Sequence, residues 1–240
     1  MLSNKFLIVV LAASLTMCSF GVSAESHGGM VPYKVQYTRV TDFGSIPVPQ
    51  GQLKDQLEIL KRKAVGGDGA AAAELYAALG GCGTLRAANR ARFDEVCRGI
   101  TQADVDEMGR WLILAAQLGN PAAQYSYAAG GMGQLYSDPL YGLKHPEVVK
   151  AYRAQARAYL EGFASQCHFN SIAAIARDAA NDGLLYGDDP DVGYKFQVVL
   201  NTISTTPNLA REAALEVGID PKKLFSLRGE AASFVDQHCK

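Results

Sequence analysis

The sequence predicts an all-α fold, a solenoid of antiparallel helical hairpins stapled by disulfides. Three observations predict it. Apolar residues recur at helical spacing from Leu53 almost to the C-terminus, the period that buries one stripe of a helix. At Gly119-Asn120-Pro121 one helix ends and the next begins with so short a link that the two must be antiparallel neighbours. A degraded copy of this elbow stands 52 residues upstream at Gly67-Asp68, and self-similarity of that kind marks a repeat architecture.

The elbow is built from residues with definite local preferences. Trp111, Leu112, Ala115, Ala116 and Leu118 form an apolar stripe, and Gly119 stops the helix. Asn120 is a good N-cap, and Pro121 follows where a missing N–H costs nothing and a fixed φ suits the first turn. Ala122, Ala123 and Tyr127 continue the stripe on the second helix, with Ala123 small enough for close backbone approach. A shift of 52 places Ala64 on Ala116, Gly67 on Gly119, Asp68 on Asn120, Ala71 on Ala123 and Leu75 on Tyr127. A third copy reads Cys167-His168-Phe169-Asn170, with Cys167 in the place of the glycine. Its first helix opens at Pro146 and carries Val149, Tyr152, Ala156, Tyr159, Leu160 and Phe163, and its second is expected from Ser171 to Asn181.

On the spacing Trp111, Ala115, Ala116, Gly119, Asn120, Ala123, Gln124 the chain resembles a Sel1-like repeat, a relative of the tetratricopeptide repeats. In that pattern a Trp is followed by an Ala pair, a Gly, and an Ala-Gln on the second helix. The chain departs from it at Tyr127 and Ala128, where the family has Leu-Gly, and in the stretch AGGMGQLY beyond. The resemblance implies a right-handed α-solenoid. It says nothing of which partner is bound.

Residues 1–24 read as a signal peptide. Lys5 supplies the positive start, Phe6 to Phe20 the apolar run, and Val22-Ser23-Ala24 the cleavage site, a run short of the ~20 residues a membrane span needs. The mature chain then begins at Glu25, in the periplasm or outside the cell. A lipoprotein signal ending at Cys18 is the alternative, disfavoured by the bulk of Met17. Residues 25–51 hold three prolines and no helical period, which predicts an extended or disordered arm. Residues 52–240 form the helical-repeat domain, with hairpins at 52–80, 101–135 and 146–183 and capping helices over 190–240.

Charge and cysteines narrow the function. Removing the signal removes one Lys and no acid, taking the formal charge from −1 to −2. Such a balance argues against nucleic acid or an anionic membrane as the main partner, since both need a concentrated positive field. Four cysteines remain, Cys82, Cys97, Cys167 and Cys239, an even number that predicts two disulfides in an oxidising compartment. Three pairings can be drawn, and Cys82 with Cys97 and Cys167 with Cys239 is favoured because the first closes a short local loop. Zinc is the rival, with His168 and His238 each beside a Cys, but adjacent Cys and His rarely both reach one metal.

No H-E-x-x-H, G-x-S-x-G or paired S-x-x-K and K-T-G motif is present. Glycines 66, 67 and 69 follow a helix and lack the phosphate-loop Lys, and the acids 188, 189 and 191 lack EF-hand spacing. The sequence therefore predicts a module without catalytic residues, cofactor or metal that binds another protein or peptide. A cell-wall hydrolase with an unrecognised site is the alternative. The candidate binding residues are Asp106, Arg110 and Gln117 on the Trp111 helix, with Arg86 and Arg90 in the basic insertion at 80–100.

Overall fold

A computed structural model describes residues 51–134 and 140–240. The predicted signal peptide and, but for Gly51, the predicted arm lie outside the described residues. Those described are helical, with no strand among them and an isolated bridge between Gly183 and Gly187. The elements are α1 (Leu53–Val65), α2 (Gly69–Ala88), α3 (Arg90–Val96), α4 (Gln102–Asp106), α5 (Met108–Gln117) and α6 (Pro121–Ala129). A 3-10 turn (Met132–Gln134) follows, then α7 (Tyr141–Lys144), α8 (Pro146–Ala164), α9 (Phe169–Ala179), α10 (Pro190–Ile203), α11 (Leu209–Glu216) and α12 (Pro221–His238).

The longer helices pack in order of sequence. α1 lies on α2, α2 on α5, α5 on α6, α6 on α8, α8 on α9, α9 on α10 and α10 on α12, with α3 and α4 held against α2 and α11 against α10. One apolar core runs through the longer helices, from Leu53 to Cys239. The predicted stripes face it, except that Leu118, expected on the Trp111 stripe, falls just past the end of α5 and is 40% exposed. Leu57, Leu60 and Ala64 are buried on α1, Leu112, Ala115 and Ala116 on α5, Tyr152, Ala156 and Leu160 on α8, and Leu227, Ala231 and Val235 on α12.

The three elbows share one hydrogen-bond pattern. At the first, Gly67 N–H donates to the Ala64 carbonyl and Asp68 N–H to that of Lys63. At the second, Gly119 donates to Ala116 and Asn120 to Ala115, and at the third Cys167 donates to Ala164 and His168 to Phe163. Each pair closes the end of a helix through a residue in the left-handed region, Gly67 at φ 99°, Gly119 at 84° and Cys167 at 55°, as a Schellman motif requires. The next residue then caps the following helix. Asp68 accepts from Ala70 and Ala71, Asn120 from Ala123, and His168 Nδ1 from the Ser171 N–H at 3.2 Å. Because His168 is the cap, α9 begins at Phe169, two residues before the start expected from sequence.

The first hairpin also differs from expectation. Its second helix does not stop at Leu79 but runs on to Ala88, through Gly80, Gly81 and Gly83. Glycine inside a helix costs about 1 kcal/mol relative to alanine, and here the missing side chain admits a neighbour. A Cβ on Gly83 would stand 2.9 Å from Val105 Cγ1 of α4, and one on Gly80 would reach 3.6 Å from the Met108 sulfur of α5. Gly83 is thus the close contact of α2 with the second hairpin, whereas a Cβ on Gly81 would meet nothing within 4 Å. That hairpin starts as predicted at Thr101, whose hydroxyl and N–H form a capping box with Asp104. A break at Glu107 separates α4 from α5.

Gly83→Leu should destabilise the chain by about 1–3 kcal/mol through overpacking, measured by denaturant unfolding. Gly162→Ala, in α8 where a Cβ meets nothing within 4 Å, should instead stabilise it by up to about 1 kcal/mol. Equal effects of the two would contradict the packing role of Gly83.

Candidate functional site

The cysteines pair as favoured from sequence. Cys82 on α2 joins Cys97 at the end of α3, with Cα atoms 5.7 Å apart, and Cys167 in the third elbow joins Cys239 after α12, at 5.1 Å. All four are buried. With Cys82, Cys97, Cys167 and Cys239 all in disulfides, the zinc alternative has no thiolate to offer among the described residues. His168 serves as a helix cap, and His238 packs its ring 4.6 Å from that of Phe234. Among the described residues no three or more His, Cys, Asp or Glu side chains come together as a metal site, and no helix is long and apolar enough to cross a membrane.

The insertion folds around Arg86. From α2 its guanidinium donates to the Ile100 carbonyl at 2.6 Å and to Gln102 Oε1 at 2.8 Å, and lies 4.9 Å from the centre of the Phe93 ring. Phe93 is buried on α3, and the Arg90 guanidinium also lies 5.2 Å from its ring centre. Arg90 pairs with Asp94 at 3.3 Å and Arg92 with Glu95 at 2.6 Å. Two of the four arginines of the basic stretch are therefore paired with its two acids. Arg86 ties α2 to the loop that leads into α4, and Arg90 remains exposed at the surface.

Asp106, Arg110 and Gln117 are exposed on α4 and α5. Gln102 Nε2 donates to Asp106 Oδ1 at 2.8 Å, so Arg86, Gln102 and Asp106 form one hydrogen-bonded run and join two of the sequence-predicted groups. Arg110 lies over the Trp111 ring at 5.3 Å. Trp111 itself is 2% exposed, its indole N–H has no hydrogen-bond partner among the described residues, and it belongs to the core.

Beside this face, Lys61 of α1 bridges to Asp104 at 3.4 Å, to Glu58 at 3.7 Å and to Glu107 at 3.9 Å. Burial pushes the Asp104 carboxyl up. The hydrogen bonds from the Thr101 hydroxyl and N–H and the Lys61 ammonium more than offset this, and hold it below the ordinary carboxylate range.

Sequence reasoning missed a set of polar contacts that lock α5, α6 and α8 together. Gln124 Nε2 and the Tyr159 hydroxyl both donate to the Ala116 carbonyl, at 3.1 and 3.2 Å, and the Tyr152 hydroxyl donates to that of Tyr127 at 3.1 Å. These carbonyls lie in the last turns of α5 and α6, where a helix lacks its own donors. Burial drives the Tyr152 phenol well above its usual range, so it stays a donor. The signal was present as Tyr152 and Tyr159 on the apolar stripe of α8, read there only as core.

Comparison with family models, with curated proteins and with solved structures finds no match. The class is thus defined by the geometry: an all-helical, sequentially packed chain with two buried disulfides and repeated elbows.

Two measurements follow from these contacts. Asp104 has a lowered folded-state pKa, so its contribution to stability is complete above the unfolded carboxylate pKa, near 4, and is lost as pH falls through the lower folded value. Asp104→Asn should flatten the fall of melting temperature across that acid window and leave its slope above pH ~6 unchanged. Cys167→Ala with Cys239→Ala should cost on the order of 4 kcal/mol in the chain-entropy picture. Cys167→Gly with Cys239→Ala should cost about 1 kcal/mol less, because glycine accepts the left-handed φ; denaturant titration compares the two.

Proposed function

We propose that the chain is a non-catalytic interaction module of the bacterial periplasm, a Sel1-like right-handed α-solenoid that holds a protein or peptide partner on its helical-repeat surface. A role in toxin immunity or in regulating envelope enzymes fits within this reading. The observation that carries it is the threefold recurrence of one elbow, at Gly67-Asp68, Gly119-Asn120 and Cys167-His168, with the same pair of closing hydrogen bonds each time. Stacked hairpins of this kind leave extended faces of exposed side chains, the surfaces repeat proteins use for binding. The two disulfides support an oxidising compartment.

The exposed run Asp106, Arg110 and Gln117, with Arg90 of the insertion nearby in sequence, is the proposed contact face. Its mixed charge suits a partner of complementary pattern, where swapped signs are penalised more than neutral ones. Affinity capture from an envelope extract, with Asp106→Arg and Arg110→Glu together as the negative arm, tests this. A specific protein should be retained by the wild type and reduced roughly tenfold by the double variant. No specific capture, joined to cleavage of peptidoglycan or a β-lactam by the pure chain, would overturn the reading in favour of a hydrolase.

A further inference from the structure

The last helix of the array, α12, packs against α10 and buries Leu227, Ala231 and Val235 on one side. At about 100° per residue its opposite side carries Lys222, Phe225, Gly229, Ala232, Ser233 and Asp236, all of them exposed. The end of a stacked array needs a polar outer face to stay soluble. Here the middle of that face is a phenyl ring, Phe225 at 83% exposure, beside a glycine, an alanine and a serine. A Cβ on Gly229 would meet nothing within 4 Å, so among the described residues no close neighbour requires a glycine at a mid-helix position that alanine would favour.

The two charges of the face stand at its ends, each opposed by the dipole of its own helix. Lys222 lies in the first turn, where the helix end is positive, and Asp236 in the last, where it is negative. Lys223, its neighbour, turns instead to the body of the chain and bridges to Asp191 at 2.5 Å. Asp236 bridges to Lys240 at 2.5 Å, and a carboxylate accepts from more than one donor.

A second copy of the same helix complements this face throughout. Set antiparallel about a two-fold axis at Gly229, it brings Lys222, seven residues before the axis, to Asp236, seven residues after it, once at each end of the contact. Phe225, four residues before the axis, meets Ser233, four after, and the neighbouring Ala232. The bare backbone at Gly229 lets the helices come close where they cross. A partner of one sign would suit one end of the face and be repelled at the other, whereas a second copy offers both signs in reverse order. α12 has 18 residues and is about 27 Å long. A strip of that length and about 10 Å wide hides roughly a few hundred Å² on each copy, the low end of specific interfaces. The pair is accordingly a reversible one.

We propose that the outer face of α12 is a self-association surface, on which two copies of the chain pair through antiparallel α12 helices with Gly229 at the two-fold axis. The pairing does not depend on the reading of the chain as a partner-binding module.

Sedimentation equilibrium of the full chain across the micromolar to submillimolar range tests it, with a monomer–dimer equilibrium as the expected result. Phe225→Asp should weaken the dimer at least roughly tenfold. Lys222→Asp and Asp236→Lys should each weaken it roughly tenfold by setting like charges together at both ends. An equimolar mixture of these two variants should return to near the wild-type constant, because the introduced charges then face each other at one end and the native pair remains at the other. Loss of fold would not be recovered by mixing. A chain that stays monomeric throughout, a dimer indifferent to Phe225→Asp, or a mixture no stronger than its components would each overturn the proposal.

Discussion

The closing of a helix through a left-handed residue is the constraint on which this architecture rests. A helix that ends in open solvent can leave its last carbonyls to water, but one followed two residues later by another helix cannot. The chain must reverse at once, and the only economical way is a residue at positive φ whose own N–H, with that of its successor, turns back to the finished helix. Gly67 and Gly119 do this without a Cβ, and Cys167 does it with one. Everything that distinguishes the three hairpins is superimposed on that shared reversal, including which residue caps the next helix and how close the two helices come.

Cys167 shows how such a position can be modified. A non-glycine residue in the left-handed region costs about 1–2 kcal/mol, and here the same residue carries the bond to Cys239. The strain is small beside the restriction a long disulfide-closed loop places on the unfolded chain. His168, buried and capping α9 through Nδ1, occupies the position that Asp68 and Asn120 hold in the other copies. The third elbow therefore keeps the geometry of the first two with different chemistry at both of its defining positions.

Features set by local chemistry were legible in the sequence. The Asn120-Pro121 start, the start of the second hairpin at residue 101, the stripe of α8 and the two cysteine pairings all depend on neighbours in the chain or on spacing. The features that were not legible depend on distant residues. α2 continues through three glycines, of which Gly83 and Gly80 lie against Val105 and Met108 across the interface, and nothing near Gly80 announces it. Arg86 looked like surface charge because its acceptors, the Ile100 carbonyl and Gln102, are brought to it only when the insertion closes. The tyrosine hydroxyls of α8 were hidden for a similar reason: a stripe position says that a ring is inward, not which carbonyl its oxygen meets.

The bond between the third elbow and the segment after α12 has a mechanical consequence. Helices packed one upon the next behave as a nearly one-dimensional array that unravels from its ends. Here the C-terminal end is knotted back onto the interior, because Cys239 is fixed to a residue 72 positions earlier in the chain. Tension applied between the two ends of the polypeptide would pass through the sulfur atoms and bypass α9 to α12 altogether. The load would fall on the hairpins before Cys167, so the array has one end from which it can be peeled.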